Sequence, residues 1–202
     1  MNDPFMFMSL LIPGPRSLGK DINIYLRPLI EELQTLWNVG VHTYDAVSEQ
    51  YFQMHAAILW TINDFPAYGS LSRWSTKGYM ACPVFTGQTP SQRLRNKIGY
   101  TGHRRFLELS HPWRRSQLFN GQHEPQSMPS PLSGFDILCQ HQHLRDSTPG
   151  KHPNNRDKNR KRLPEELNWT GKSIFFELEY WQTLSLRCNL NAMHIEKIFV
   201  RV

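Results

Sequence analysis

The segment 55–68, with the sequence HAAILWTINDFPAY, is the most informative stretch of the chain. Its run ILWTI at 58–62 is apolar and β-branched, which predicts a buried strand. Asp64 follows that strand directly. Acidic residues at strand ends lie where active-site crevices form in α/β sheets, but a lone Asp in this position is more often a helix N-cap or a turn residue. The local sequence leaves both roles for Asp64 open.

The residues upstream of this segment predict a helix followed by a strand. Apolar residues recur at steps of three and four over 26–37 with polar residues between them, as in an amphipathic helix that ends near Gly40. Asp21 is the expected N-cap, and Pro28 is expected to mark either the true first turn or a kink. The residues VHTY at 41–44 then alternate as a strand would.

The downstream residues divide the chain into parts. Apolar residues thin out over 116–164, which predicts a polar, disordered insertion with a short helix at its one apolar island, 132–138. A strand is expected at 174–176 and a helix at 180–190. The expected parts are a core with a basic segment over 1–115, the insertion over 116–164, and a return to the core over 165–202.

The composition restricts the class of protein. Of 202 residues, 39% are hydrophobic and 12% aromatic, which indicates a core interrupted by polar stretches. The apolar run at 5–12 is too short to span a bilayer and lacks the basic flank of a signal peptide, so we expect no membrane association. Cys82, Cys139 and Cys188 cannot all pair within the chain, which favours a reducing, intracellular compartment.

The net charge of +6 is concentrated in two segments. Seven cations face one acid over 91–115, and six cations face one acid over 151–162. Clustered cations suit a DNA-binding surface, and aromatic residues interleaved with the first cluster favour a folded surface there. The second cluster fits a solvated loop as well as it fits a nuclear-localisation or nucleic-acid-binding tail. The candidate DNA-binding residues are Arg93, Arg95, Lys97, Arg104, Arg105, Arg114, Arg115, Lys158, Arg160, Lys161 and Arg162.

The sequence contains only a remnant of a zinc motif. A structural zinc needs four ligands, which are usually delivered as pairs two residues apart. Cys82 would begin such a pair, but its second position is Phe85. Cys82 and His103, with His111 as a distant third, are therefore weak candidate zinc ligands, and a buried free thiol at Cys82 is the better interpretation.

Several blocks of the sequence resemble plant En/Spm-type (CACTA) transposases. The blocks are MFMSLLIPGP at 6–15, HAAILWTINDFPAY at 55–68, WSTKG at 74–78, GHRRFL at 102–107 and MHIEK at 193–197. They occur in order along almost the whole chain, which argues against chance. The resemblance implies an α/β fold with a partial RNase H-like core, in which helices flank a mixed sheet that the polar insertion interrupts.

The resemblance also implies a chemistry and assigns residues to it. Intact members cut DNA at transposon ends and join the 3′ hydroxyl to target DNA, using an Asp/Asp/Glu set that holds Mg²⁺ or Mn²⁺. Asp64 corresponds to the second carboxylate, so a weak divalent-cation ligand becomes its favoured role. The family's Asp-x-x-His motif is present in altered form at Asn191 and His194, and an amide cannot supply the charge of a carboxylate.

The other two carboxylates of the set are expected to be missing. The family's first Asp lies upstream of the block that opens this chain, and its Glu would follow the last block. Loss of an essential catalytic group costs on the order of 10³-fold or more in rate. We therefore expect a nuclear, transposase-derived chain that is inactive and holds no cation, and whose incomplete sheet exposes apolar surface. The alternatives are a non-enzymatic DNA-binding protein that competes with intact transposase and, more weakly, a module that docks on it.

Overall fold

The structure, a computed structural model, describes residues 8, 10–12, 18–144, 166–185 and 187–190. Within these ranges the α-helices are α1 (Ile22–Asn38), α2 (Phe65–Ser72), α3 (Pro112–Arg115) and α4 (Gly134–His141). The strands are β1 (Val41–Asp45), β2 (Gln50–Met54), β3 (Thr61–Asn63), β4 (Ser91–Arg93), β5 (Ile98–Tyr100) and β6 (Cys188–Leu190). Short 3₁₀ helices lie at Gly19–Asp21, Thr86–Gln88, Gly102–Phe106, Ile174–Glu177 and Trp181–Thr183.

The strands pair into separate two-stranded sheets. β1 and β2 are antiparallel, as are β4 and β5, whereas β3 and β6 are parallel with Thr61 opposite Cys188. The protein is thus a mixed α/β protein, as predicted in that coarse form. The described residues form no single mixed sheet flanked by helices, and the RNase H-like core stays a prediction. No helix among the described residues combines the length and the hydropathy that a membrane span requires.

Helix α1 supplies one half of the main core. Leu26, Ile30 and Leu33 recur at steps of four and three, and all three are buried on one face of the helix. That face packs against a segment from the far end of the chain. The buried residues of the segment are Ile174, Phe175, Leu178, Tyr180 and Trp181. The predicted amphipathic helix is therefore confirmed, and its partner lies about 150 residues away in sequence.

The ends of α1 agree only in part with those predicted from the sequence. Asp21 occupies the N-cap position, but its side chain makes no capping hydrogen bond. Because the helix begins at Ile22, Pro28 lies in its second turn, and the prediction that Pro28 marks the first turn is wrong. The helix ends as predicted: Gly40 has a φ of +76° and its N–H donates to the carbonyl of Thr35.

Three strand and helix predictions need correction. Strand β1 is confirmed, but the buried strand predicted at 58–62 is reduced to β3, and Ile62 is 64% exposed because a two-stranded sheet leaves that face uncovered. The strand predicted at 174–176 and the helix predicted at 180–190 are both wrong. These residues form 3₁₀ turns followed by β6. The turns let the rings of Phe175 and Trp181 stack on each other, 4.8 Å apart, in the core that they share with α1. Tertiary packing overrides local propensity here.

A second apolar cluster joins α2, α4 and the segment 166–170. Trp74 and Trp169 meet edge to face at 4.7 Å, and Leu144 completes the buried cluster. Helix α4 confirms the short helix predicted at the apolar island, and a capping box between Ser133 and Asp136 fixes its start. Residues 116–144 of the predicted insertion are described, 145–165 are not, and the three-part division of the chain stays a prediction.

Candidate nucleic acid interface

Strands β4 and β5 form a hairpin over 91–100, which we call the basic hairpin. The N–H of Leu94 donates to the carbonyl of Lys97 at 2.8 Å and closes the turn between the strands. Arg93, Arg95 and Lys97 are exposed, and the hairpin contains no acidic residue. Among the described residues none of the three forms an ion pair. Their charges are available to a ligand in solvent.

The basic hairpin is anchored to the rest of the chain at its base. The hydroxyl of Tyr100 donates to the carbonyl of Gly78 at 2.8 Å, and the N–H of Thr101 donates to the carbonyl of Pro90 at 2.9 Å. Burial raises the pKa of Tyr100, so its phenol remains a neutral donor at neutral pH. Exposed Lys77 precedes Gly78 and adds a cation at this anchor point. Lys77 was not predicted as a binding residue, because it stands alone in the sequence rather than in a basic run.

Three arginines of the first basic segment are buried instead of exposed, and we call them the arginine core. Arg104, Arg105 and Arg114 are 0%, 7% and 2% exposed. Arg104 donates to four acceptors in the turn that follows it. These are the carbonyls of Trp113 at 3.2 Å, Ser116 at 2.8 Å and Gln122 at 3.2 Å, and the Oδ1 of Asn120 at 2.7 Å.

Arg114 and Arg105 complete the arginine core. One terminal nitrogen of Arg114 donates to three carbonyls at 3.1 Å, those of Arg104, Arg105 and Leu107. Arg105 lies 3.3 Å from the buried carboxylate of Glu124 and 5.3 Å from the ring centre of Phe85. Irregular backbone leaves carbonyls that need donors, and a buried guanidinium can serve several at once.

Only part of the basic surface predicted over 91–115 is exposed. Arg93, Arg95, Lys97 and Arg115 are exposed, as a phosphate contact requires. Arg104 and Arg114 are occupied by internal hydrogen bonds, and Arg105 pairs with the carboxylate of Glu124. None of the three faces solvent. Their exposure was predicted from charge clustering alone, and no sequence signal distinguishes a buried from an exposed arginine in this segment.

Asp64 acts as the N-cap of α2. Its Oδ1 accepts from the N–H of Ala67 at 2.8 Å, and its backbone is extended with φ −70° and ψ 168°. This is the helix-cap role that the local sequence allowed. Among the described residues, no three His, Cys, Asp or Glu side chains gather where they could hold a metal ion. The described residues do not fit a divalent-cation site at Asp64, and its role as a ligand stays a prediction.

The candidate zinc residues lie in different surroundings. Cys82 is a half-buried free thiol, whereas His103 is exposed and its ring lies 6.0 Å from that of Phe119. Phe85, at the second position of the pair, is buried and meets Phe106 edge to face at 5.7 Å. Hydrophobic packing occupies the place of the second thiol.

The remaining candidate site residues lie outside the described residues. They are Lys158, Arg160, Lys161, Arg162, Asn191 and His194.

A cavity of about 410 Å³ lies between the two apolar clusters and was not predicted from the sequence. Trp74, Trp169 and Trp181 contribute to its wall, and the hydroxyls of Ser72 and Ser173 in that wall already donate to backbone carbonyls. Burial raises the pKa of Tyr68 and of Cys188, so both groups are neutral at neutral pH. The cavity therefore offers apolar surface and few groups that could orient a ligand.

Comparison with known protein families gives a match over most of the chain. The family model described as "Transposase family tnp2" matches residues 1–144 of the 202. No curated protein and no solved structure matches the chain. The matched range contains α1 to α4, the basic hairpin and the arginine core.

Proposed function

This chain belongs to the tnp2 transposase family, and on that premise we propose that it binds duplex DNA through the basic hairpin without cleaving it. We propose further that it derives from the catalytic domain of a CACTA-type element with an RNase H-like core and acts in the nucleus of a plant cell. There it would compete with intact transposase for DNA.

The exposed charge of the basic hairpin carries this proposal. Arg93, Arg95 and Lys97 project from one short turn, and none of them forms an ion pair with a described residue. Each cation that neutralises a phosphate releases condensed counterions, so a small unpaired cluster gains affinity for DNA of any sequence. Phosphate contacts of this kind position a protein on DNA but do not read its sequence.

The placement of Asp64 supports the absence of cleavage. Phosphodiester cleavage by the family's chemistry needs several carboxylates that converge on a pair of cations. Here the Asp64 carboxylate accepts a hydrogen bond from the backbone of α2. We therefore expect neither Mg²⁺ nor Mn²⁺ to bind at Asp64.

Duplex binding by charge variants of the basic hairpin tests the proposal. The combined variant Arg93→Ala, Arg95→Ala, Lys97→Ala removes three cations, and each lost phosphate contact lowers the slope of log K against log salt by about 0.9. We expect at least about tenfold weaker binding of a labelled duplex near 0.1 M salt, together with a shallower slope. Fluorescence anisotropy over a salt series measures both quantities.

The matched control keeps the charge and changes only the head group. The variant Arg93→Lys, Arg95→Lys should bind duplex DNA nearly as well as the wild type, because non-specific phosphate contact depends on charge. Unfolding midpoints should be alike for all three proteins, since the changed side chains are exposed. Unchanged affinity and slope in the triple alanine variant would contradict the proposal.

A further inference from the structure

Four aromatic rings form a continuous row on the surface of the segment 102–121, which we call the ring surface. The ring centres of His111 and Trp113 are 5.5 Å apart, those of Trp113 and Phe119 are 6.2 Å apart, and those of Phe119 and His103 are 6.0 Å apart. Trp113 is 59% exposed and Phe119 is 45% exposed. Because these rings adjoin one another, a ligand that covers them would remove a continuous apolar area from water.

The rings of this surface do not cover one another. The planes of Trp113 and Phe119 are inclined by 57°, and each of these rings meets its neighbouring histidine nearly edge to face, at 72° and 74°. In a parallel stack the rings would cover each other's faces and leave less area for a ligand. Arg104 lies over one face of the Phe119 ring, and the exposed parts of Trp113 and Phe119 leave ring area open to a planar ligand.

The arginine core holds the ring surface in place from below. Arg104 donates to the carbonyl of Trp113 and to the side chain of Asn120, the residue after Phe119. Its guanidinium also lies 5.0 Å from the ring centre of Phe119. Both principal rings are thereby tied to one buried group, and a surface that is ordered before binding loses little entropy when a ligand arrives.

The arginines near the ring surface indicate what kind of ligand it binds. Over 102–124 four arginines face the acids Glu108 and Glu124. Three of these arginines are buried in the arginine core, where Arg105 pairs with Glu124. Arg115 is exposed two residues after Trp113. An apolar protein partner would gain nothing from the exposed charge of Arg115, whereas a chain of phosphates joined to planar bases would use both this charge and the rings.

We propose that the ring surface binds unpaired nucleotides of single-stranded DNA. Bases stack on Trp113 and Phe119, and Arg115 neutralises an adjacent phosphate. Base faces in a duplex are covered by their neighbours, so this surface distinguishes open from paired DNA, which the basic hairpin does not. The proposal rests on the proposed DNA-binding function and adds the structural state of the DNA to it.

Alanine variants of the two exposed rings test this proposal in the full chain. Trp113→Ala and Phe119→Ala should each weaken binding of a labelled single-stranded oligodeoxynucleotide of about 12 nucleotides by roughly tenfold, in line with the loss of one stacked base. Duplex affinity should change less than twofold. Trp113→Phe keeps a stacking ring and should restore most of the single-strand affinity.

Trp60→Ala is the matched control, because Trp60 is 50% exposed and lies outside the ring surface. It should leave single-strand affinity unchanged. The chain has six tryptophans, so quenching of its fluorescence by single-stranded DNA does not identify the ring that stacks. The difference in quenching between the wild type and Trp113→Phe measures stacking on Trp113.

The outcomes separate this proposal from the proposed function. Wild-type single-strand affinity in Trp113→Ala and Phe119→Ala, with duplex binding intact, would overturn the ring surface and leave the basic hairpin standing. Equal losses of single-strand and duplex affinity in these variants would also overturn it. A basic hairpin variant that keeps its duplex affinity would refute the proposed function whatever the ring variants do.

Discussion

At the scale of single residues, Arg104 explains how a buried cation can hold a turn together. Its planar guanidinium reaches three carbonyls and one amide oxygen over residues 113–122. Moving a cation out of water is costly, and this cost is offset only when its donors are satisfied in good geometry. The fork of arginine can span separate acceptors, whereas the ammonium of lysine is a single point.

We expect Arg104→Lys to lower the free energy of unfolding by about 2 kcal/mol or more, because backbone acceptors in a buried site are left without donors. Chemical denaturation followed by tryptophan fluorescence measures this difference. Arg95→Lys makes the same chemical change on the exposed basic hairpin and should stay within about 0.5 kcal/mol of the wild type. Equal stability of the two variants would show that Arg104 does not support the turn.

His141 gives a second test at this scale, because its ring is buried and neither of its nitrogens has a hydrogen-bond partner among the described residues. Burial, with a smaller contribution from the charge of Lys172, lowers the pKa of His141 to about 4 from an ordinary value of 6.5. Between these values the unfolded chain binds the proton and the folded chain does not. The contribution of neutral His141 is therefore complete above about pH 6.5 and is lost as the pH falls toward 4.

The expected loss is roughly 3 kcal/mol over that range, from a shift of about 2.5 pKa units. His141→Phe places an apolar ring between Trp169 and Phe176, which flank His141 at 4.7 and 5.3 Å. The free energy of unfolding of this variant should fall less steeply between pH 6.5 and 4. The exposed residue His123, changed in the same way, should keep the wild-type slope. Parallel curves for His141→Phe and wild type would contradict the assignment.

At the scale of elements, Asp64 at the start of α2 has two predicted roles, helix cap and metal ligand, and substitutions can distinguish them. Asparagine caps a helix about as well as aspartate but lacks the charge that a cation needs, whereas alanine does neither. We expect Asp64→Ala to lower the free energy of unfolding by about 1 kcal/mol and Asp64→Asn to lower it by only a few tenths. Thermal unfolding with and without Mn²⁺ measures both effects.

The same pair of variants tests the absence of catalysis. Mn²⁺ should not raise the unfolding midpoint of the wild type relative to Asp64→Asn, and neither protein should nick supercoiled plasmid. Metal-dependent nicking by the wild type that Asp64→Asn abolishes would restore Asp64 to the role of a catalytic ligand.

The elements that were predicted correctly are those whose signal is local. Helix α1 has both a periodic apolar face and a glycine end, and α4 has an apolar island with its own capping box. The predictions for the segment 174–190 were wrong because its conformation depends on residues that are distant in sequence. Phe175 and Trp181 pack against α1, and no short window of sequence contains that contact.

In the candidate site, too, the features that depend on local sequence could be predicted and those that depend on distant residues could not. Arg93, Arg95 and Lys97 lie on a short two-stranded hairpin in which every residue from 92 to 97 is exposed. Burial of Arg104 depends on carbonyls contributed by residues 113–122, which a charge count does not reveal. The local sequence allowed the cap at Asp64, and the family resemblance then favoured the other role.

At the scale of the whole molecule, the main core joins the two ends of the described chain. Helix α1 buries Leu26, Ile30 and Leu33 against the segment 174–181, and Arg27 and Glu177 form an ion pair at the edge of this contact. The family match ends at residue 144, before that segment begins. Apolar surface is also exposed elsewhere, on the hairpin of β1 and β2 at Tyr51 and Phe52. The matched range alone therefore lacks the partner of its longest helix.

We expect a chain of residues 1–144 to lose cooperative unfolding and to associate. Each of the three buried side chains of α1 contributes about 1.5–3 kcal/mol when removed from water, and their sum is comparable to the whole stability of an ordinary domain, about 5–15 kcal/mol. Size-exclusion chromatography and thermal unfolding by circular dichroism compare 1–144 with a control chain of 1–190, which keeps every described residue. A monomeric 1–144 that unfolds cooperatively near the midpoint of 1–190 would show that α1 does not need the segment 174–181, and that the matched range is an independent folding unit.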